Sequence, residues 1–166
     1  MLEIKKAGSK DIDIIQNLAY RIWPVAYKDM ITAGQLKYML ELIYSTEALT
    51  KQQTDLQHRF ILVYENDIAI GFASFSNKHP GDPAVYRLHK LYVLTDHQKK
   101  GIGRFLLNSI INEIRPAGAA KLELNVNRNN PALQFYNHCG FSFAREEDID
   151  IGEGYFMNDY VMELKL

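Results

Sequence analysis

Apolar and charged residues alternate from Leu2 to Ala7, which predicts a short edge strand, and Gly8-Ser9-Lys10-Asp11 then supplies a turn and a capping side chain. Ile12, Ile15, Leu18, Ala19 and Ile22 recur at helical spacing as far as Trp23-Pro24, where the proline is expected to end or kink the helix. Thr32 is placed to cap a second helix with Leu36, Met39, Leu40 and Ile43 on its apolar face. Residues 45–57 continue it as a more polar helical stretch. At Phe60 the period changes to that of a strand. Segments 60–64 and 68–76 flank Glu65-Asn66-Asp67 and read as a hairpin with Gly71 inside its second strand. After the breaker-rich loop 78–83, residues 85–94 form a further strand. A glycine-rich turn, 98–103, then leads into a helix with Ile102, Phe105, Leu106, Ser109, Ile110 and Ile114 on one face and Pro116 and Gly118 as its stop. Residues 121–126 alternate as a strand, Pro131 suits the first position of a short helix running to about Cys139, and Gly140 suits its C-terminal cap. Two last strands, 141–145 and 156–164, flank an acidic, glycine-containing loop over 146–155. The order β-α-α-β-β-β-α-β-α-β-β predicts an α/β (α+β) architecture, a mixed sheet with helices packed on it.

The chain's 166 residues, 47% apolar and 23% charged, suit one domain spanning 1–166. Nineteen basic residues against 20 acidic ones leave a net charge of −1, which excludes a binder that holds nucleic acid through a broad basic surface. Any anion site must therefore be local. One cysteine, Cys139, allows no internal disulfide, and the five histidines at 58, 79, 89, 97 and 138 show no metal-ligand spacing, so no metal is expected. The N-terminus lacks an apolar core followed by a cleavage site, and no stretch approaches the roughly 18 apolar residues of a span. The expectation is a cytoplasmic protein without membrane or nucleic-acid partners.

The chemistry gathers at 88–104, where strand, turn and helix meet. Two glycines let the backbone bend sharply into the helix, whose first amides lack internal partners and, with the helix dipole, favour an anion such as phosphate. Lys99, Lys100 and Arg104 add positive charge. A structural turn in which glycine only relieves strain is the plain alternative. A dinucleotide fingerprint fails, since its third glycine position is Leu106, and a P-loop fails because Gly103 precedes Arg104-Phe105.

The segment Gln98-Lys-Lys-Gly-Ile-Gly103 resembles the Gln/Arg-x-x-Gly-x-Gly/Ala signature of the GNAT superfamily of acyl-CoA-dependent N-acyltransferases. The preceding strand 89–94 resembles that family's bulged fourth strand, and Asn127-Arg-Asn-Asn-Pro-Ala-Leu-Gln-Phe-Tyr-Asn-His-Cys-Gly-Phe141 resembles its second cofactor motif. The resemblance implies a twisted, mostly antiparallel sheet of about seven strands with a splay between the fourth and fifth, and about four helices on its faces. It implies acetyl-CoA as co-substrate, its pantetheine arm on the backbone of Leu91 and Val93. The pyrophosphate falls to the turn of Gln98, Lys99, Lys100, Gly101, Ile102, Gly103 and Arg104, with Asn130 and Phe135 contacting the cofactor arm. Capping of the short helix is the plain alternative for Asn130.

Tyr136 falls where the family places a tyrosine near the thioester sulfur, and a phenol, which ordinarily titrates near pH ~10, suits protonation of a departing thiolate, with ordinary packing of Phe135-Tyr136 against the sheet as the alternative. The position at which several members carry a glutamate base is Arg87, which cannot lose its proton. His89 is the candidate base in its place, with water-mediated deprotonation or a neutral incoming amine as alternatives. Cys139 is read as a packing residue, not a nucleophile. Trp23, Tyr27, Tyr38 and Tyr44 are candidates for an acceptor wall or for core. The acidic run 146–150 with Glu153 is read as a solvated loop that also suits a cationic acceptor. The ending 148–162 resembles bacterial members grouped with polyamine acetyltransferases. The expected activity is acetyl transfer to a primary amine of a small molecule, with a peptide or protein amine, or a non-catalytic acyl-CoA sensor, as alternatives. A homodimer through the final strands is left open.

Overall fold

The period changes read from the sequence correspond to twelve regular elements in a computed structural model that describes residues 1–166. In chain order they are β1 (Leu2–Ala7), α1 (Ile12–Ala26), α2 (Ala33–Tyr44), α3 (Thr46–Thr54), β2 (Arg59–Glu65), β3 (Ile68–Asn77), β4 (Val85–Val93), α4 (Ile102–Ile114), β5 (Lys121–Asn127), α5 (Ala132–His138), β6 (Ser142–Gly152) and β7 (Tyr155–Lys165). The seven strands form one sheet in the order β1-β2-β3-β4-β5-β7-β6. Pairing of β4 with β5 is parallel, from Val85↔Lys121 to Leu88↔Leu124. The pairs β1–β2, β2–β3, β5–β7 and β6–β7 are antiparallel. Contacts sort the residues into two compact units, Met1–Ser76 with Lys90–Ile110, and Asn77–His89 with Ile111–Leu166.

In the first unit, α1 buries Ile12, Ile15, Leu18, Ala19, Ile22 and Trp23, the residues that recur at helical spacing. Pro24 does not end this helix, which runs on to Ala26. Within the last turn a proline forfeits one donor only, and Tyr27 N still bonds Trp23 O at 3.0 Å. Thr32 caps α2 as expected, its hydroxyl accepting from Gln35 N at 3.1 Å. The polar stretch after Tyr44 is not a continuation of α2. Ser45 turns extended (φ −60°, ψ 155°), ends α2 and opens α3 by accepting from Ala48 N at 3.1 Å. The chain therefore has five helices instead of about four. Strands β2 and β3 are joined by Asn66 and Asp67, both left-handed at φ 50° and 69°, the two-residue turn that matches strand twist.

In the second unit, residues 146–152 are strand, not loop. They pair with β7 from Glu146↔Tyr160 to Gly152↔Tyr155, around a two-residue turn of Glu153 and Gly154. Arginines make this tolerable: Arg145 meets Glu147 at 3.1 Å and Arg128 meets Asp148 at 2.8 Å. Pro131 stands just before α5 and not at its first position, while Asn130 Oδ1 accepts from Ala132 N at 2.9 Å and Gly140 leaves the helix at φ 97°. Glu123 on β5 is almost fully buried. Burial pushes its carboxyl up, but Lys78 at 2.6 Å and Lys121 at 3.4 Å outweigh this and hold it below the usual glutamate range.

Candidate active site

Strand β4 and the turn beyond it are fixed by two hydrogen bonds. Leu94 N donates to Ile70 O at 2.8 Å, and the Gln98 side-chain amide donates to Val93 O at 3.0 Å. Gln98 thus uses its side chain as a brace between strand end and turn. Lys99 and Gly101 are both left-handed, at φ 62° and 78°. A Cβ at Gly101 would meet nothing within 4 Å, so glycine is required there by backbone geometry and not by space. Lys99 adopts the same geometry at a cost of about 1–2 kcal/mol. The first helical bond, Phe105 N to Gly101 O at 3.0 Å, leaves the first-turn amides of Ile102 and Gly103 without partners inside α4. Lys99, Lys100 and Arg104 are exposed around them. A cradle of this shape, charge and donor content fits a pyrophosphate.

Leu91 is half-buried and Val93 buried on the same strand. Between His89 and Leu91 lies Lys90, 8% exposed, whose ammonium donates to Gln52 Oε1 of α3 at 2.7 Å. It also lies 5.7 Å from the ring centre of Tyr44 and 5.4 Å from that of Phe60. Burial lowers its pKa to about 7. The aromatic residues of the N-terminal helices divide: Trp23 and Tyr44 are core, while Tyr27 and Tyr38 are half-buried, and the Tyr27 and Tyr92 hydroxyls pair at 2.8 Å.

The second unit holds the other candidates. Tyr136 is buried, its ring edge-on to Phe135 at 5.2 Å and to Phe141 at 5.6 Å. Asn130 lies two residues before α5, its side chain accepting from Ala132 N as described. His89 is half-buried near the end of the unit's β4 segment, and Cys139 is half-buried at the C-cap of α5. Arg87 donates to Asn125 Oδ1. Asn125 Nδ2 in turn donates to Glu147 Oε2 at 3.0 Å and to Asp159 Oδ2 at 3.3 Å. Sequence reasoning does not single out Asn125, Asp159 or Lys90. The available signal is phase: Asp159 and Lys90 occupy positions on β7 and β4 at which the alternation calls for an apolar residue.

A family model, the acetyltransferase (GNAT) family, matches residues 19–141. The chain belongs to that family. It is an acetyl-CoA-dependent N-acetyltransferase, as the glycine turn implied. Among curated relatives, an L-methionine sulfoximine/L-methionine sulfone acetyltransferase of Salmonella typhimurium is 30% identical over 105 residues. That alignment spans 61% of this chain and 61% of the relative. The spermidine N(1)-acetyltransferase of Thermoplasma acidophilum is 25% identical over 99% of this chain and 97% of its own length. Among solved structures, the PaiA N-acetyltransferase of Thermoplasma acidophilum in complex with coenzyme A has a TM-score of 0.82 at 24% identity, covering 100% of this chain and 99% of that one. The GNAT fold is therefore established, and no helix of this acetyltransferase is long and apolar enough to cross a membrane.

Proposed function

We propose that this acetyltransferase works as one catalytic domain in the cytoplasm and acetylates the primary amine of a small molecule, a polyamine-like or amino-acid-like acceptor. The observation that carries the reading is the turn 98–104, with its left-handed Lys99 and Gly101 and the first-turn amides of Ile102 and Gly103 that open α4. Relatives named for spermidine and for methionine derivatives support a small acceptor.

In this reading the amides from Lys99 to Arg104 hold the pyrophosphate, the backbone of Leu91 and Val93 holds the pantetheine arm, and Asn130 and Phe135 border it. Acetyl-CoA supplies an activated acyl carbonyl and a thiolate leaving group. Tyr136 gives its phenolic proton to the departing sulfur, and the neutral amine attacks directly, without a covalent enzyme intermediate. Replacing Tyr136 by Phe is expected to lower kcat by roughly 10²-fold or more, with the acetyl-CoA Kd unchanged. Equal kcat in the two proteins would remove Tyr136 from the mechanism.

The decisive experiment is acetyl-CoA binding by calorimetry, followed by free-thiol release with polyamines, amino acids, aminoglycosides and short peptides. Binding with amine-dependent release is the expected result. Binding without release from any amine would favour an acyl-CoA sensor, the reading to which Arg87 at the usual base position lends weight. An absence of binding would overturn the assignment of the turn.

A further inference from the structure

Asp159 is a carboxylate whose surroundings are incomplete. It is 2% exposed on β7, where it pairs with Asn127 at the end of β5 and with Glu147 of β6. Its Oδ2 receives one long hydrogen bond, 3.3 Å from Asn125 Nδ2. Normal N–H···O bonds lie at about 2.7–3.2 Å, and ionised acceptors ordinarily attract shorter ones. The two nearby cations are committed elsewhere. Arg87 of β4 donates to Asn125 Oδ1, while Arg128, in the loop after β5, directs Nη2 to Asp148 at 2.8 Å and Nε to the backbone oxygen of Asp159 at 3.3 Å. Neither closes a salt bridge on the Asp159 carboxylate. With one long hydrogen bond on Oδ2, the Asp159 carboxylate keeps acceptor capacity for a cationic N–H.

The same geometry keeps the pair of carboxylates in order. Asn125 has its oxygen fixed by Arg87, so both of its N–H bonds face acids: one goes to Glu147, the other to Asp159. Glu147 also receives Arg145, and its side chain is 30% exposed, which makes it the rim of the pair and Asp159 the floor. From Asn127, the cross-strand neighbour of Asp159, the chain runs through Asn130 directly into α5 and Tyr136. Arg87, at the base position of the family, is thus a residue that orients Asn125.

We propose that Asp159, with Glu147 at its rim, receives the ammonium of the acceptor and takes its proton, a role that rests on the acetyl-transfer reading above. One N–H bond of the ammonium breaks, its proton goes to the Asp159 carboxylate, and the electron pair stays on nitrogen for attack on the acyl carbon. The nitrogen loses a second proton to solvent as the amide forms, Tyr136 protonates the departing sulfur and takes a proton back from solvent, and Asp159 returns its proton to solvent. One proton is released per turnover. The environment agrees: burial and the charge of Glu147 raise the Asp159 pKa against the opposing effects of Asn125, Arg87 and Arg128. Asn125 and Arg145 hold Glu147 below its usual range. Two carboxyls with pKa values pushed apart suit one proton-accepting and one permanently charged role.

The test is the pH profile of kcat/KM with spermidine and n-butylamine for wild type, Asp159→Asn, Asp159→Glu and Glu147→Gln, with acetyl-CoA affinity measured alongside. Asp159→Asn should lose roughly 10²-fold at pH 7 and regain activity progressively as pH approaches the pKa of the amine itself, because the acceptor then arrives neutral. Asp159→Glu should restore an acid limb, Glu147→Gln should act mainly on KM, and acetyl-CoA affinity should be unaltered. A loss in Asp159→Asn that is equal at every pH would overturn the proposal. Should that variant not fold, carboxyl-carbon NMR of the wild type decides: the Asp159 resonance should titrate above the ordinary aspartate range and shift when n-butylamine is added, and an unresponsive resonance overturns the role. A wild type that releases no thiol with any amine refutes the transfer reading, whereas an active wild type with a parallel variant profile refutes the role of Asp159 alone.

Discussion

Replacing Lys90 by methionine is expected to stabilise this acetyltransferase at pH 7 and to remove most of its gain in stability at alkaline pH. The lysine is buried against Gln52, Tyr44 and Phe60, and its pKa falls from 10.5 to about 7 in the folded protein. Between those two values the unfolded chain binds a proton that the folded chain does not. Stability therefore rises with pH across that window, and below it both states are protonated and the full penalty of burying the charge remains. A shift of this size corresponds to a few kcal/mol, on the order of half of a small domain's stability. Urea denaturation from pH 6.5 to 9.5 measures it. The wild-type midpoint should climb and that of Lys90→Met should stay nearly level. Parallel curves would mean that the amine is not held neutral in the fold.

Gly71→Ala should be the most damaging single-methyl change in the protein. A Cβ at Gly71 on β3 would lie 2.6 Å from Tyr92 O, 3.1 Å from Val63 Cγ1 and 3.3 Å from Val93 Cα. Two of these three atoms are backbone of β4, so no rotamer can relieve the contact, and overpacking of this kind costs about 1–3 kcal/mol. The strand displaced is the one assigned to the pantetheine arm. Acetyl-CoA affinity should fall together with the melting temperature. Gly8→Ala is the control, since a Cβ there meets nothing within 4 Å and its φ of −123° is ordinary. Equal melting temperatures for the two variants would show that β3 and β4 are not in the close approach described.

What can be read from the sequence is what local physics decides. The helical spacing of Ile12, Ile15, Leu18 and Ile22, the alternation over β5 and the glycine turn before α4 each depend on neighbours within a few residues, and each is present in the fold. The break at Ser45 is hidden because polar helix follows apolar helix there, and only its extended backbone separates them. The outer half of β6 reads as loop because its charges are satisfied by Arg128 and by pairing with β7, contacts that sequence spacing does not display. The turn residues of the candidate site are legible for the same local reason as the helices. Asp159 and Asn125 are not, since their meaning arises only when β5, β6 and β7 lie side by side.

The strand pairs of this sheet differ in how much chain must close before they can form. Hairpins β2–β3 and β6–β7 close through two-residue turns, on a timescale of about 1–10 μs. The parallel pair β4–β5 must first bring together strands separated by all of α4, a distant closure that only the finished helix rewards. The Arg87–Asn125 bond straddles that pair, so the orientation of the amide between the two carboxylates waits on a longer closure than either hairpin needs. A partly refolded chain can therefore carry both hairpins and still lack that hydrogen bond.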